Sequence, residues 1–193
     1  ADARTQASFS AKVTRSTMKI KTIIPLAVVL GVIMLPLLFW AFLSMFSIFD
    51  AFRQYSINQK VAYTIGDMIS RQTSPIDAKY LEGAQKLFDY LTFARGDSAL
   101  RVTSVLYDAD SDSYKSDWSK TRGAVLPAGQ TEVTAWYSRL PVMPADERVM
   151  VVETWKDYTA PFATGLEKRT ISNFVFTRPR YAPQVLWSDG TGS

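Results

Sequence analysis

The sequence predicts an α+β chain in which a single N-terminal transmembrane helix continues into an amphipathic stem, and the stem packs on an antiparallel sheet of about four strands. Three patterns predict this. Ile23 to Phe49 is a run of 27 residues without Asp, Glu, Lys or Arg. Beyond it, apolar residues recur at steps of three or four, and from Leu100 onward they alternate in short segments.

A helix over the uncharged run spans about 40 Å at ~1.5 Å per residue, more than the ~30 Å hydrocarbon core of a bilayer. A core helix of a water-soluble protein rarely stays apolar on every face for so many turns. A cleaved signal peptide has a shorter apolar region of ~7–15 residues ending in small residues. Here the run leads into Asp50-Ala-Phe-Arg-Gln-Tyr without an Ala-x-Ala site. Pro25 falls in the first turn, where it is tolerated, and Pro36 bends the span. Trp40 lies deep in the run, away from the interface where Trp is enriched, and a protein partner in the membrane would explain it. Ala27, Gly31 and Ala41 allow close approach of a second helix, without forming a Gly-x-x-x-Gly motif.

Charge sets the orientation. Residues 1–22 carry Arg4, Lys12, Arg15, Lys19 and Lys21 against Asp2 alone, and the rest of the chain carries 17 basic and 17 acidic residues. The net charge of +4 therefore resides in this arm. Basic residues beside a span stay in the cytoplasm, so Lys12, Arg15, Lys19 and Lys21 form a cytoplasmic flank and the C-terminal domain lies outside, in the periplasm of a Gram-negative cell. The flank meets anionic headgroups, and five scattered charges give no reason to expect a nucleic-acid partner.

The chain has no Cys and no His. Disulfides, a Ser-His-Asp triad, a Cys-His dyad and a His-built zinc site are therefore excluded within it. Neither a phosphate-binding Gly-rich loop nor any other cofactor signature is present, and the expectation is a non-enzymatic protein.

The organisation follows in order: a basic cytoplasmic arm (1–22), a transmembrane helix (23–49), an amphipathic stem (50–72), a periplasmic α+β domain (73–187) and a disordered tail (188–193). Phe52, Tyr55, Ala62, Ile65 and Ile69 form a one-sided stripe along the stem, with a gap at Asn58 and Gln59. Thr73-Ser-Pro ends that helix. A second helix starts at Pro75 or Asp77, buries Tyr80, Leu81, Ala84, Leu87, Phe88 and Leu91, and closes at Gly96 and Asp97. Leu100–Tyr107 alternates as a strand, an Asp-Ser turn follows, and Tyr114–Trp118 is its partner. Gly123 to Gly129 is a loop. Thr131–Arg139 is a short helix with Val133, Trp136 and Tyr137 inward, stopped by Pro141 and Pro144. Arg148–Tyr158 is apolar on both faces at its start and so is a central strand. Ile171–Thr177 alternates as the last. The domain is expected to have two layers.

Two acidic groups are candidate sites. Asp108-x-Asp110-x-Asp112 has the first half of a calcium loop, but Ser113 and Ser119 stand where Gly and a bidentate Glu are needed, so a solvated turn is expected. Glu153 and Asp157 share one face of a strand, and Arg148, Lys156 and Arg169 are available as partners. The best candidate interaction surface is the aromatic series Trp40, Phe42, Phe46, Phe49, Phe52 and Tyr55.

Several segments together are similar to the TadE-like proteins, minor pseudopilins of the tight-adherence (Flp-type) pilus machinery. They are Gly66-Asp-Met-Ile-Ser-Arg-Gln-Thr-Ser74, Val102-Thr-Ser-Val105, Asp117-Trp-Ser119, Val151-Val-Glu-Thr-Trp-Lys-Asp-Tyr-Thr-Ala-Pro161 and Val175-Phe-Thr-Arg-Pro-Arg180. The resemblance covers about Ile23 to Trp187 and implies a pseudopilin-like fold and a non-enzymatic bacterial inner-membrane protein. Its implied partners are the lipid bilayer, the secretion ATPase, platform proteins and other pseudopilins. Processed members carry a Gly before the apolar run and a Glu five residues into it. This chain has Lys21-Thr-Ile-Ile-Pro25 there, a departure from the processed pattern that leaves a stay-behind assembly role open. The alternative is a single-span accessory subunit of another large membrane complex, respiratory or photosynthetic.

Overall fold

A computed structural model describes the backbone of residues 3–94 and 98–189, with the side chains of Pro25 and of these residues from Val28 onward. The elements are α1 (Ala3–Ser70), α2 (Ala78–Thr92), β1 (Ser98–Asp108), β2 (Ser113–Arg122), α3 (Gln130–Ala135), β3 (Arg148–Tyr158) and β4 (Arg169–Thr177). The chain divides into two units, Ala1–Ile48 with Phe162–Gly165, and Phe49–Pro161 with Leu166–Ser193.

The first unit is dominated by α1, an N-terminal helix long and apolar enough to cross a membrane. Its helical backbone starts at Ala3 and so includes the arm as well as the run. From Val28 to Phe42 every large apolar side chain is exposed. A helix satisfies its own backbone hydrogen bonds, so this surface is suited to lipid and unsuited to water.

The second unit is built on an antiparallel sheet of order β2-β1-β3-β4. The strands apolar on both faces, β1 and β3, are central because only there is each face covered. One face carries Leu100 and Val102 of β1 with Met150 and Val152 of β3, packed with Val61, Ile65 and Ile69 of α1 and Leu81, Ala84 and Phe88 of α2. Each fully buried side chain of this kind contributes roughly 1.5–3 kcal/mol. The other face carries Val105, Val149 and Val151, packed with Val133 of α3 and with Trp136, Leu140 and Met143 after it. Helices and loops thus cover both faces, where two layers were expected.

Local chemistry sets the helix ends. Asp77 caps α2, its carboxylate accepting from the Tyr80 N–H at 2.7 Å. At the other end Phe93 adopts φ 55°, and the Ala94 N–H reaches Asp89 O at 2.9 Å. The expected stop at Gly96 and Asp97 lies outside the described residues. The last carbonyl of α1, Ser70 O, is met by the Arg180 N–H at 2.8 Å.

Three further expectations change. The buried line of the stem runs through Ala51, Asn58, Val61, Ala62, Ile65 and Ile69, while Phe52 is 69% exposed and Tyr55 is also exposed. Asn58 lies on the line with its Nδ2 donating to Gln54 O at 2.7 Å, while its buried Oδ1 has no hydrogen-bond partner among the described residues. Tyr137 is 53% exposed, because α3 ends at Ala135 and the following turns carry Tyr137 outward. Ser188 and Asp189, expected in the tail, are placed: the Ser188 N–H donates to Ile76 O at 2.8 Å, Trp187 bridges Ile76, and Asp189 pairs with Lys120 at 3.2 Å. The remaining tail lies outside the described residues.

Gly123 closes β2 at φ +85°, and a Cβ there would stand 2.5 Å from Ser98 O. Gly83, on α2, has nothing within 4 Å of the same position. Gly123→Ala is therefore expected to lower the unfolding free energy by at least about 1–3 kcal/mol, and Gly83→Ala to raise it by roughly 0.5–1 kcal/mol. Urea titration of the full chain in detergent micelles checks both signs.

Candidate functional site

The aromatic series of α1 is exposed but not unified. In the first unit, Phe39, Phe42 and Phe46 recur at three- and four-residue steps and share one helix face. Trp40, 58% exposed, stands two residues from Phe42 and so points elsewhere. In the second unit Phe49, Phe52 and Tyr55 are exposed as well. Phe39 belongs to this surface and was not singled out from the sequence, although its spacing to Phe42 and Phe46 was readable. Gly31 and Ala41 are exposed too. The side chains of Ala27, Lys12, Arg15, Lys19 and Lys21 lie outside those described.

The acidic turn does not converge. Asp108 accepts from Lys115 Nζ and, at 2.7 Å, from Ser111 Oγ. The Asp110 N–H caps it at 3.2 Å. Asp112 instead accepts from the hydroxyls of Tyr107 at 2.7 Å and Tyr137 at 3.2 Å. Among the described residues no three carboxylates stand close enough to hold a metal ion. The Lys115 ammonium, then the Ser111 hydroxyl, hold the Asp108 carboxyl down at about 2. The hydrogen bond to Asp112 pushes the Tyr107 phenol up to about 12.

Glu153 and Asp157 share a strand face but not a site. Asp157 pairs with Lys168 at 2.9 Å and accepts from Thr170 Oγ1 at 2.8 Å. Glu153 pairs with Arg101, directly opposite on β1, through Nε at 2.6 Å. None of the three partners anticipated from the sequence holds Glu153: Arg148, for example, pairs with Asp117 at 2.7 Å. Arg101 also binds Glu132 of α3 and donates to Leu126 O at 3.1 Å. Its guanidinium lies 5.6 Å from the Trp136 ring centroid and 5.2 Å from that of Trp155. Burial pushes the Glu153 carboxyl up, and Arg101 pulls it back only in part. Burial works against the Arg101 charge as well, but the two carboxylates more than offset it. Such a network ties α3 to the sheet.

A pocket of about 420 Å³ is lined by Asp50, Gln54, Phe93, Lys156, Asp157 and Tyr158, among others. The buried Lys156 ammonium donates to Thr92 O and to Gln54 Oε1 at 3.4 Å, and its burial lowers its pKa. The Tyr158 hydroxyl donates to Asp50 Oδ2 at 3.0 Å. Burial first, then Asp50, pushes that phenol up to about 12. These groups engage one another and the backbone.

No family model, no characterised protein and no solved structure matches this chain. The functional reading therefore rests on the residues themselves. Of these, the exposed apolar face of α1 is the feature least compatible with a chain surrounded by water alone.

Two outcomes follow from the charge networks. Arg101→Met leaves Glu153 buried without a counter-charge and is expected to cost about 3–5 kcal/mol, while Arg101→Met with Glu153→Leu recovers most of that loss. A double-mutant cycle by urea unfolding measures it. For Asp108, whose pKa is depressed to about 2, the stabilising contribution is present above the ordinary carboxylate value and lost as pH falls through about 2. Lys115→Met is expected to move the Asp108 titration, followed by carboxyl carbon NMR, back up toward the ordinary carboxylate range.

Proposed function

We propose that this chain is a non-enzymatic, membrane-anchored component of tight-adherence (Flp-type) pilus assembly, a TadE-like protein with a pseudopilin-like fold. It acts through helix packing in the bacterial inner membrane and through contacts of its periplasmic domain. The single observation that carries the anchor is the unbroken exposure of large apolar side chains from Val28 to Phe42.

The family reading is supported by where the resembling segments fall. Gly66, in the stem segment, has its Cβ position 3.5 Å from Val175 Cγ1 in the closing segment. Val102 pairs with Val152, and Val152 with Val175. Segments far apart in the chain but alike to one family are thus neighbours in one core, as a shared fold requires. In this reading the stem rests on the sheet and the basic flank keeps the N-terminus in the cytoplasm. Lys21-Thr-Ile-Ile-Pro25 offers a prepilin peptidase neither the Gly nor the Glu it reads, which supports the role of an assembly factor that stays in the membrane.

A second reading is a single-span accessory subunit of another large membrane complex. Trp40 favours it, since it sits apart from the Phe39, Phe42 and Phe46 face and would mark a separate helix contact. Affinity purification of the tagged full chain from native membranes, followed by mass spectrometry, separates the two. Pilus platform proteins or pseudopilins are expected among the partners, and deletion is expected to abolish piliation. Partners drawn only from a respiratory or photosynthetic complex, with normal pili in the deletion strain, would overturn the proposal.

A further inference from the structure

The connection between β3 and β4 contributes four residues, Phe162–Gly165, to the unit that contains the apolar part of α1. Within that unit the Phe162 ring meets the Phe46 ring edge-on, with centroids 5.8 Å apart and planes at 65°. From Thr159 to Leu166 the connection carries no charged residue. Pro161, Phe162, Ala163 and Gly165 are all exposed, Phe162 among the exposed large apolar side chains.

Phe46 lies four residues before Asp50, the first charge after the run, which is about 6 Å along a helix. Whatever touches Phe46 is therefore near the end of the uncharged run, at headgroup depth if the run is in lipid. An irregular connection cannot enter the hydrocarbon core, because its unpaired backbone groups need water or headgroups. It is well suited to the interfacial zone, where aromatic rings concentrate. Pro161 removes one backbone donor, and the small residues Ala163 and Gly165 let the backbone lie close to a surface.

We propose that the 161–165 connection is a second membrane contact, seating Phe162 in the interfacial region of the phospholipid bilayer beside Phe46. This rests on the reading of α1 as membrane-spanning. Its occupant is lipid, argued from continuity with the apolar face of α1. A chain so held touches the bilayer at two places far apart in sequence.

The absence of Cys makes site-directed spin labelling free of background. Ala163→Cys, Leu38→Cys in the run and Ser111→Cys in the β1–β2 turn replace exposed residues, so each accommodates a label. Each full-length variant is labelled and reconstituted in phosphatidylcholine–phosphatidylglycerol vesicles, and collision with oxygen is compared with collision with a water-soluble nickel chelate. The expected oxygen-to-nickel ratio is highest at Leu38, intermediate at Ala163 and lowest at Ser111, with Ala163 several-fold above Ser111. If Ala163 equals Ser111 while Leu38 stays high, the second contact is wrong and the anchor stands. If Leu38 also equals Ser111, the anchor reading fails and the second contact falls with it.

Discussion

One helix in this protein has to be compatible with two surroundings. Apart from its ends and the two prolines, α1 satisfies its own backbone, so the side chains are what distinguish one stretch from another. From Val28 to Phe49 they are mostly apolar and mostly turned outward. From Ala51 the burial becomes one-sided, through Asn58, Val61, Ala62, Ile65 and Ile69. The change occurs within a few residues of Asp50, the first charge after the run. Everything the second unit does with α1 depends on that switch, because a stem apolar on every face would leave no side for solvent.

The sheet meets the opposite problem, since β1 and β3 are covered on both faces yet contain charged residues. Arg101 and Glu153 solve it jointly. They are cross-strand partners, so each supplies the counter-charge that a dry environment demands, and Glu132, Trp136 and Trp155 complete the enclosure. Such a network is weak evidence of net stability, because removing one member is far costlier than never having buried the set. The edge strand β2 is protected differently. It carries Lys115, Asp117, Lys120 and Arg122, and the Gln130 side chain meets its outer Tyr114 carbonyl and Ser116 N–H. Charge and a side-chain cap both discourage pairing with a foreign strand.

Much of the fold was legible. Runs that alternate or stay apolar on both faces report strands directly, and Arg148–Tyr158 was readable to its ends as a central strand. The polar second half of β2 was not, because an edge strand with one solvated face lacks the apolar signal that marks a strand. Asn58 was misplaced for a related reason: polarity usually reports exposure, but an amide that bonds to the helix's own carbonyl escapes that rule. The C-terminal strip from Val185 to Asp189 has no periodicity to read and is fixed by residues far away in the chain, among them Ile76, Trp118 and Lys120. Of the candidate site, the exposed aromatic series of α1 could be listed from the sequence. Phe162 could not be attached to it, since its contact with Phe46 bridges more than a hundred residues.

The sequence by itself determined that one long segment carries no charge, that positive charge gathers before it, and that neither thiol nor imidazole chemistry is available. These are compositional facts, and no folding can alter them. Tertiary structure alone decided which charges share a site. It matched Glu153 with Arg101 and not with Arg148, Lys156 or Arg169, separated Asp112 from Asp108, and turned Lys156 toward Thr92 and Gln54. The reason is physical: a pairing depends on strand register and on which loops return to which face, and both are settled by burying apolar surface across the whole domain, not by any residue's own neighbours.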